Sequence, residues 1–338
     1  MKKIKIIAEI SANHGHSIDV VKKSIELAKE SGADAIKIQT YTPDTITLNC
    51  DNEYFQINNG TIWDGTTLYK LYQEAYTPWE WHKELFNYAK EIGIEIFSTP
   101  FDKTAVDLLE ELETPIYKIA SFEINDIPLI EYVASKGKPM IISTGVGTEE
   151  EIREAVEACR KMGNEDITLL QCTSQYPAKL EDANLIMIKD LAERFNVKAG
   201  LSDHTMGSLV ATTAVAMGAE VIEKHFIIDR SLGGPDSSFS MTPIEFREMV
   251  ENIRNVEKMI GKVSYEITEK KKKSFKFKRS LFVSKNIKKG EILTEENIKS
   301  VRPADGISPK YYNHVLGKKV RKDLKFGTPL LLEDIEEE

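Results

Sequence analysis

Two spacings of hydrophobic residues alternate along residues 1–261 of the chain. Short apolar runs whose side chains alternate between two faces predict strands, and apolar residues at every third or fourth position predict amphipathic helices. In the first helix, Ile18, Val21, Ile25 and Ala28 share one face, and Gly32 ends it. The pattern repeats eight times. It predicts strands at 4–9, 35–40, 94–100, 115–123, 139–145, 167–174, 197–205 and 221–226, and helices at 17–31, 79–92, 102–112, 126–136, 149–162, about 183–195, between the last two strands, and at 243–260.

Each predicted strand ends in polar residues. In the second strand Ile36 and Ile38 suit the outer, helix-covered face, so Lys37 and Gln39 point inward, which is costly unless a ligand is near. Eight such units predict a (β/α)8 TIM barrel with its active site at the carboxyl ends of the strands. A doubly wound open sheet is the alternative, although no G-x-G-x-x-G follows the first strand. The strand-end residues are Glu9, Lys37, Gln39, Ser98, Thr99, Lys118, Ser121, Ser143, Thr144, Thr173, Ser174, Ser202, His204, Glu223 and His225.

Three other stretches depart from this pattern. Residues 41–77 are rich in turn signals, and a connection this long predicts a functional loop or lid. Residues 262–278 are lysine-rich and non-periodic, which predicts a linker after a catalytic domain over 1–261. In the remaining 279–338, the segments 287–298 and 324–335 echo each other and predict a compact, pseudo-symmetric, β-rich domain built from two hairpin-like copies.

Composition narrows the class of protein. The chain has 338 residues, 41% hydrophobic and 29% charged, and a net charge of −9, which disfavours nucleic acid or an anionic membrane as its main partner. Its three cysteines lack metal-site spacing, and Cys159 lies on a helical apolar stripe, so reduced, buried thiols are expected. No signal-peptide pattern and no membrane-length apolar run are present, and we therefore expect a cytoplasmic enzyme.

Lysines and hydroxyl groups at the strand ends predict an anion site. Lys37 and Lys118 supply positive charge, and the Ser and Thr hydroxyls donate hydrogen bonds, which suits a small phosphate- or carboxylate-bearing substrate. Strand-end Ser and Thr also cap the helices that follow, so each hydroxyl alone is an ambiguous signal. The lysines have no such alternative role.

Two histidines at neighbouring strand ends predict a metal site. Ser202 with His204, and Glu223 with His225, share the inward face of the last two strands. Either histidine alone is more often a hydrogen-bonded core residue, but the pair favours a divalent cation with open positions, Mn²⁺ or Mg²⁺ rather than structural zinc. Glu9 is a candidate for activating water or protonating a carbanion, or equally a structural partner of Lys37.

The motifs that these residues form resemble a known family. The stretches IAEISANHG (7–15), AIKIQT (35–40), FSTPFD (97–102), YKIASFE (117–123), STG (143–145), CTSQYP (172–177), GLSDHT (200–205) and EKHF (223–226) are similar, in register, to the sialic acid (nonulosonate) synthase family. The carboxyl-terminal stretch VRPADG (301–306) resembles the antifreeze-like (SAF) domain of that family. The resemblance implies a TIM barrel followed by a small β-rich SAF domain.

The resemblance also implies a reaction. Family enzymes condense phosphoenolpyruvate with an open-chain amino sugar by cleaving the C–O bond, and segments 60–82, 120–124 and 229–240 indicate 2,4-diacetamido-2,4,6-trideoxy-L-altrose as the sugar and pseudaminate as the product. N-Acetylneuraminate or legionaminate is the alternative product of the same chemistry. The resemblance further implies a domain-swapped homodimer, so a second copy is the expected partner. The implied roles are catalysis for Glu9, His204 and His225, metal binding for the two histidines, phosphoenolpyruvate binding for Lys37, Thr99, Lys118, Ser121, Ser143, Ser174 and Ser202, and sugar binding for Gln39, Tyr176, Glu223, Asp236 and Arg302 of the partner.

Two function classes outside this family remain open on the residues alone. A carbohydrate- or ice-binding protein would account for the carboxyl-terminal module, but it has no need of interior lysines and paired histidines. A barrel lyase acting through a Schiff base on Lys118 would use a buried lysine, but it has no need of the histidines.

Overall fold

Eight parallel strands close into a barrel in sequence order in the computed structural model, which describes residues 3–58 and 60–336. Strand β8 pairs with β1, with His225 opposite Glu9, so the ring has no open edge. The prediction of a TIM barrel is thereby confirmed over the open-sheet alternative. The strands are β1 (Lys5–Glu9), β2 (Ala35–Thr40), β3 (Glu95–Pro100), β4 (Tyr117–Ile119), β5 (Met140–Ser143), β6 (Ile167–Cys172), β7 (Lys198–Asp203) and β8 (Val221–His225).

Helices cover the outside of the barrel as the apolar spacing predicts. In α1 the Ser17 side chain accepts the Val20 N–H as N-cap, while Val21, Ile25 and Ala28 are buried against the sheet. The helices of this part of the chain are α1 (Ile18–Glu30), α2 (Pro43–Ile46), α3 (Leu68–Ala75), α4 (Trp79–Ile92), α5 (Lys103–Glu111), α6 (Ile127–Ala134), α7 (Glu149–Lys161), α8 (Met187–Phe195), α9 (Leu209–Ala216) and α10 (Pro243–Ile260).

The barrel interior changes from apolar to polar along its axis. Its lower part is filled by a small apolar cluster that includes Ile7, Phe97 and Val221. Gly200 completes this layer, because a Cβ there would lie only 2.3 Å from the Val221 carbonyl oxygen. One step further along the strands the inward residues become charged or hydroxylic, and the apolar cluster is therefore the floor of a polar chamber.

The structure corrects four predicted elements. The strand predicted at 115–123 is only Tyr117–Ile119, and Ser121–Glu123 forms a 3₁₀ turn. The strands predicted at 167–174 and 197–205 end at Cys172 and Asp203, so Ser174 and His204 follow their strands. The predicted loop over 41–77 contains the short helices α2 and α3, capped by Thr42 and Thr67. At the end of β7 the Asp203 carboxylate accepts the Thr205 N–H, and at the start of α3 the Thr67 hydroxyl accepts the Lys70 N–H, so side chains satisfy backbone donors outside the sheet.

The chain divides into two compact units, the first ending at Gly261 and the second beginning at Lys262. The second unit contains β9 (Ser280–Val283) antiparallel to β10 (Ile298–Val301), and the short helices α11 (Glu269–Phe275) and α12 (Tyr312–Val315). The non-periodic linker predicted at 262–278 is thus wrong over Glu269–Phe275, where Thr268 caps a helix of about two turns.

The two echoed segments of the second unit pair with each other. Ile287 and Leu324, the first residues of the two copies, form an antiparallel bridge, and both belong to the cluster of buried residues at the centre of this unit. The echo therefore reflects two copies that share one core. None of the helices in the described ranges is both long and apolar enough to cross a membrane.

Candidate active site

The inward-facing ends of β1, β2 and β8 bring three charged side chains together. Glu9 and Lys37 form an ion pair, and the Lys37 Nζ lies 3.7 Å from Glu223 Oε1. The same ammonium donates to the Thr99 hydroxyl at 3.3 Å. These groups are almost fully buried, with Glu9 1% and Lys37 4% exposed. Burying charges is costly unless opposite charges meet, and this arrangement satisfies that requirement.

A second lysine completes the group. Lys118 Nζ donates to the Ser143 hydroxyl at 2.6 Å and to the Ile119 carbonyl oxygen at 3.0 Å, and it lies 4.0 Å from Glu223 Oε1. The Ser202 hydroxyl donates to the same carboxylate oxygen of Glu223 at 3.0 Å. We call Glu9, Lys37, Lys118 and Glu223 the lysine side of the site. Its two ammonium groups and two carboxylates balance in formal charge.

Burial and ion pairing shift the pKa values of the lysine side in different directions. Burial raises the pKa of Glu9 above its usual value despite the nearby Lys37. Glu223 is equally buried, but Lys118 and Lys37 together hold its pKa below the usual value. Burial lowers the pKa of Lys118, whereas Glu223 and Glu9 raise that of Lys37 in spite of burial. Glu9 is therefore the carboxylate of this group most ready to carry a proton, while Glu223 stays ionised.

A seat for a small anion lies beside Lys118. The Ser121 hydroxyl accepts the Gly145 N–H at 3.1 Å. A Cβ on Gly145 would stand 2.5 Å from the Ser174 hydroxyl oxygen and 3.0 Å from that of Ser121, so only glycine fits between the two serines. The serines and a close backbone approach beside a buried ammonium suit a phosphate group.

Two imidazoles lie next to the lysine side, one just after β7 and one at the end of β8, where His225 pairs in register with Glu9; their ring centroids are 5.3 Å apart. Nδ1 of His204 lies 3.0 Å from the Thr173 carbonyl oxygen, so a neutral ring donates there and keeps the Nε2 lone pair free. Nδ1 of His225 is buried without a hydrogen-bond partner in the described part of the chain, 4.0 Å from Asp236 Oδ2. A free ring nitrogen on each histidine is what a shared metal ion requires.

The donor set limits the kind of metal that would fit. Within residues 3–58 and 60–336, no group of three or more His, Cys, Asp and Glu side chains is arranged to hold an ion. The two imidazoles would leave most coordination positions to water and substrate, which suits Mn²⁺ or Mg²⁺ better than a closed zinc site. The residues present therefore fit the predicted open metal site.

Aromatic rings line this side of the chamber. The Tyr176 ring lies 4.4 Å from His204 and 5.1 Å from Phe239, between centroids. Trp63, from the long 41–77 segment, lies 5.4 Å from Tyr176, and its Nε1 donates to the Pro235 carbonyl oxygen at 3.2 Å. The long segment therefore reaches the mouth of the barrel through one tryptophan.

Polar groups near the histidines connect them to β1. The Asp236 carboxylate accepts a hydrogen bond from the Ser11 hydroxyl at 2.5 Å, and Gln39 Nε2 donates to the same hydroxyl at 3.0 Å. Burial raises the pKa of Asp236. We call His204, His225, Tyr176 and Asp236 the histidine side of the site. Gln39 lies between the two sides, with its Nε2 3.5 Å from Glu9 Oε1.

Most of the predicted site residues lie in this chamber. Ser98 and Thr144 do not belong to the anion site, because their hydroxyls bond to the carbonyl oxygens of Ile38 and Leu170 in the barrel wall. Arg302 belongs to the second compact unit, where its side chain is exposed. The residues that the structure places in the first unit around the chamber are Glu9, Lys37, Gln39, Thr99, Lys118, Ser121, Ser143, Ser174, Tyr176, Ser202, His204, Glu223, His225 and Asp236.

Sequence reasoning missed several residues of the chamber. Ser11, Glu123 and Gly145 lie in motifs quoted for the family resemblance, but neither spacing nor periodicity marks them. Burial raises the pKa of Glu123 to about 7, and its Oε2 has no hydrogen-bond partner within the described residues. Burial favours the neutral thiol of Cys172, but contact with His204 outweighs burial and lowers the pKa of this thiol to about 7. Phe239 lies in the loop after β8, and no sequence pattern predicts that this loop folds back to the chamber.

A closed (β/α)8 barrel with buried lysines beside paired histidines at the carboxyl ends of its strands is typical of barrel enzymes that act on small anionic substrates. Family models then resolve the class: the model described as the NeuB family matches residues 24–265, and the model of the SAF domain matches residues 278–336. The chain belongs to the NeuB family and carries a SAF domain.

Named relatives and a solved structure agree with this placement. The chain is 52% identical to the pseudaminic acid synthase of Helicobacter pylori over 98% of each chain. It is 39% identical to the N,N'-diacetyllegionaminic acid synthase of Campylobacter jejuni over 96% of this chain and 98% of that protein. The crystal structure of N-acetylneuraminic acid synthetase from Leptospira borgpetersenii serovar Hardjo-bovis in complex with citrate aligns with a TM-score of 0.72 at 31% identity, over 81% of this chain and 90% of that one.

Proposed function

We propose that the protein is a pseudaminic acid synthase that condenses phosphoenolpyruvate with 2,4-diacetamido-2,4,6-trideoxy-L-altrose, releasing phosphate. The observation that carries this proposal is 52% identity over 98% of the chain with a pseudaminic acid synthase, against 39% with a legionaminic acid synthase. The lower identities, 39% with the legionaminic acid synthase and 31% with the N-acetylneuraminic acid synthetase, argue against the alternatives of legionaminate and N-acetylneuraminate synthesis. The buried lysines and paired histidines supply the groups that this reaction needs.

The lysine side supports binding of phosphoenolpyruvate. Its ammonium groups, from Lys37 and Lys118, already hold hydroxyl partners in Thr99 and Ser143, so a phosphate or carboxylate arriving there meets an ordered donor set. Ser121, Ser174 and the backbone of Gly145 form the adjoining seat. The Ser202 hydroxyl donates a hydrogen bond to Glu223 and so orients this carboxylate between the two lysines.

Glu9 is the proposed acid–base group. Its pKa is raised by burial, and its carboxylate faces Lys37 at the edge of the anion site. In the proposed reaction a water molecule adds to C2 of phosphoenolpyruvate, C3 attacks the sugar aldehyde, and the C–O bond to phosphate breaks. A glutamate whose pKa lies nearer neutrality can accept a proton from the water and return one to the new hydroxyl group.

The histidine side supports binding of the open-chain sugar. His204 and His225 would hold Mn²⁺ or Mg²⁺, which when bound supplies Lewis-acid polarisation of the sugar aldehyde. Asp236 and Gln39, joined through Ser11, present polar groups for the sugar hydroxyls and amides. A sugar contact by Glu223 requires movement from its present position between the lysines, and it stays a prediction.

The aromatic wall supports the choice of a 6-deoxy sugar. Trp63 and Phe239 flank Tyr176, so the approach to the histidines is apolar on one side. A methyl group gains from such a surface, whereas a hydroxyl group would lose hydrogen bonds to water. This wall accounts for selectivity towards the terminal carbon of a deoxy sugar.

Arg302 of the SAF domain is proposed to reach the sugar in the barrel of a partner subunit, within a domain-swapped homodimer. The exposed side chain of Arg302 is consistent with a partner outside its own unit. Arg302→Ala should raise the KM for the sugar more than that for phosphoenolpyruvate, with Arg321→Ala as the exposed control. Equal effects on both KM values would remove this role. A cytoplasmic location stays a prediction.

The decisive experiment offers purified protein a panel of acceptor sugars. Phosphate release from phosphoenolpyruvate is expected only with the diacetamido-altrose, and mass spectrometry of the product should give the mass of pseudaminate. Equal turnover with N-acetylmannosamine, or preference for the legionaminate precursor, would overturn the assignment of the sugar while leaving the reaction class intact.

A second candidate function is a Schiff-base lyase, favoured by one observation: burial lowers the pKa of Lys118, which makes its amine more nucleophilic. The ammonium is nevertheless committed to Ser143 and the Ile119 carbonyl. Borohydride trapping of a substrate adduct on Lys118 would support the lyase, and loss of activity with EDTA would support the synthase.

A further inference from the structure

A buried ion pair joins the ends of β7 and β8 directly behind the two histidines. Asp203 and Lys224 are register partners on the two strands, and their carboxylate and ammonium groups lie 2.7 Å apart. Both side chains are 1% exposed. Because side chains alternate along a strand, these two point away from the chamber, opposite to Ser202, His204, Glu223 and His225. The pair therefore has no access to substrate.

Hydrogen bonds extend this pair to the backbone around His204. Oδ1 of Asp203 accepts from the Thr205 N–H at 2.9 Å and from its hydroxyl at 2.7 Å. Lys224 Nζ donates to the Thr205 carbonyl oxygen. The carbonyl oxygen of His204 itself accepts the Ala178 N–H at 3.0 Å. The residues on both sides of His204 are thus tied to the residue that immediately precedes His225.

Stability alone does not account for such a pair. Desolvating two charges cancels much of their attraction, and apolar side chains of similar volume in the same place stabilise a fold as well or better. A comparable buried pair joins the ends of β1 and β2, where Glu9 and Lys37 are register partners, but that pair faces the chamber, whereas Asp203 and Lys224 lie outside it. The pair does fix something that apolar packing would leave adjustable, which is the position of one strand end relative to the other.

We propose that Asp203, Lys224 and Thr205 are positioning residues that hold His204 and His225 at the separation needed to share a divalent cation. The inference rests on the metal site of the proposed function and extends it to a supporting layer. Such supporting groups commonly change metal affinity by about 10–100-fold when removed. The three residues act on the histidine backbone and touch neither substrate nor cation.

The test compares two pairs of Asp–Lys substitutions in the full-length chain. Asp203→Asn with Lys224→Met removes both charges behind the histidines without leaving one unpaired. Asp166→Asn with Lys198→Met removes an Asp–Lys pair at the other end of β7, between Lys198, its first residue, and Asp166, which precedes β6; the Nζ–O distance of that pair is 2.6 Å. Mn²⁺ binding without substrate is measured by electron paramagnetic resonance, and thermal unfolding is recorded in parallel.

The expected result is a separation of metal affinity from folding. The Asp203/Lys224 variant should bind Mn²⁺ about 10–100-fold more weakly than the wild type, while the Asp166/Lys198 variant binds it normally. In turnover assays the metal concentration for half-maximal activity should rise, and kcat at saturating metal should recover. A folded Asp203/Lys224 variant with Mn²⁺ affinity within twofold of the wild type would overturn the proposal.

Two further variants test the proposal if the double variant does not fold, and test the metal site separately. If the double variant does not fold, Thr205→Val removes one donor to Asp203 at nearly constant shape and should weaken Mn²⁺ binding about tenfold; unchanged affinity contradicts the proposal. His225→Ala identifies the site of binding. If the wild-type protein binds no divalent cation, both the metal site of the proposed function and the positioning role are wrong. If His225→Ala abolishes binding but the double variant binds as the wild type does, only the positioning role is wrong.

Discussion

The lysine side and the histidine side of the active site are buried to a similar degree, yet they satisfy their polar groups in opposite ways. On the lysine side, Lys37 and Lys118 meet Glu9 and Glu223, so every charge has a counter-charge within the protein. On the histidine side, a ring nitrogen of His225 is buried without a hydrogen-bond partner among the described residues. The lysine side is closed in its charge balance, although Glu223 Oε2 also lacks a hydrogen-bond partner among the described residues, and the histidine side leaves a ring nitrogen open.

The difference indicates what each side exchanges on binding. On the lysine side, an arriving anion replaces ion pairs that already exist within the protein, so the net free energy of binding is smaller. The ammonium groups are nevertheless already positioned to bind the anion. An open nitrogen gains a partner only from outside, which favours a cation or a water molecule. Substitutions should therefore act through charge balance on the lysine side and through lost ligation on the histidine side.

The largest effect is expected on the lysine side. Lys118→Met leaves Glu223 and the incoming anion with the Lys37 ammonium alone, so kcat/KM for phosphoenolpyruvate should fall by about 100-fold or more, in line with about 2–5 kcal/mol for truncating a buried charged partner. Steady-state assays of phosphate release measure this. Lys198→Met is the control, because Lys198 pairs with Asp166 on a half-exposed surface. A loss of similar size in both variants would contradict the assigned role.

On the histidine side the expected effect falls on the metal. His225→Ala removes one of the two proposed protein ligands, so we expect metal affinity to fall at least about 100-fold, beyond the usual effect of a supporting group. Phosphoenolpyruvate binding, measured by calorimetry without metal, should change little. The exposed His314→Ala serves as control. If phosphoenolpyruvate binding falls as far as metal binding, the two sides are not separable as described.

A smaller effect is expected at the aromatic wall. Trp63→Ala should reduce the preference for the 6-deoxy sugar over its 6-hydroxy counterpart about tenfold, since one methyl group in an apolar pocket is worth about 1–3 kcal/mol. The ratio of kcat/KM for the two sugars is the measurement. Tyr54→Ala tests the same long segment at a position 80% exposed. An unchanged ratio for Trp63→Ala would place the selectivity elsewhere.

The smallest expected effect concerns stability and pH. Burial raises the pKa of Glu123 to about 7, so the folded protein holds this proton more tightly than the unfolded chain does. The contribution of Glu123 to stability is complete below the unfolded pKa near 4.5 and is lost as pH rises through about 7. Relative to Glu123→Gln, the wild type should lose Tm between about pH 5 and about pH 8. Parallel curves, with exposed Glu150→Gln as reference, would show that Glu123 does not titrate in this way.

The sequence predicts the barrel well because its signals are local. Apolar spacing and caps such as Ser17 and Thr242 define each helix, and alternation places Lys37 and His225 inward without further information. The proximity of the two histidines was predictable for the same reason, since they lie at or just beyond adjacent strand ends. Where one-dimensional periodicity carries the fold, prediction and structure agree.

Other parts of the site depend on contacts that no spacing encodes. Trp63 reaches Tyr176 from a long segment, and Phe239 returns from the loop after β8, so only the folded chain brings them together. The balance of Lys118 against Glu223 likewise arises from strands on opposite parts of the ring. The helix at Glu269–Phe275 was missed because its lysine-rich composition has no apolar face to detect.

The alternation along β7 and β8 has a consequence for insertions and deletions. On each of these strands, residues that face the chamber alternate with residues that face outward, and the Asp203–Lys224 ion pair belongs to the outward set. Losing or gaining one residue upstream within either strand would exchange the two sets, turning Asp203 or Lys224 inward and a histidine towards the helices. These two strands can thus vary by substitution far more readily than by a change of length.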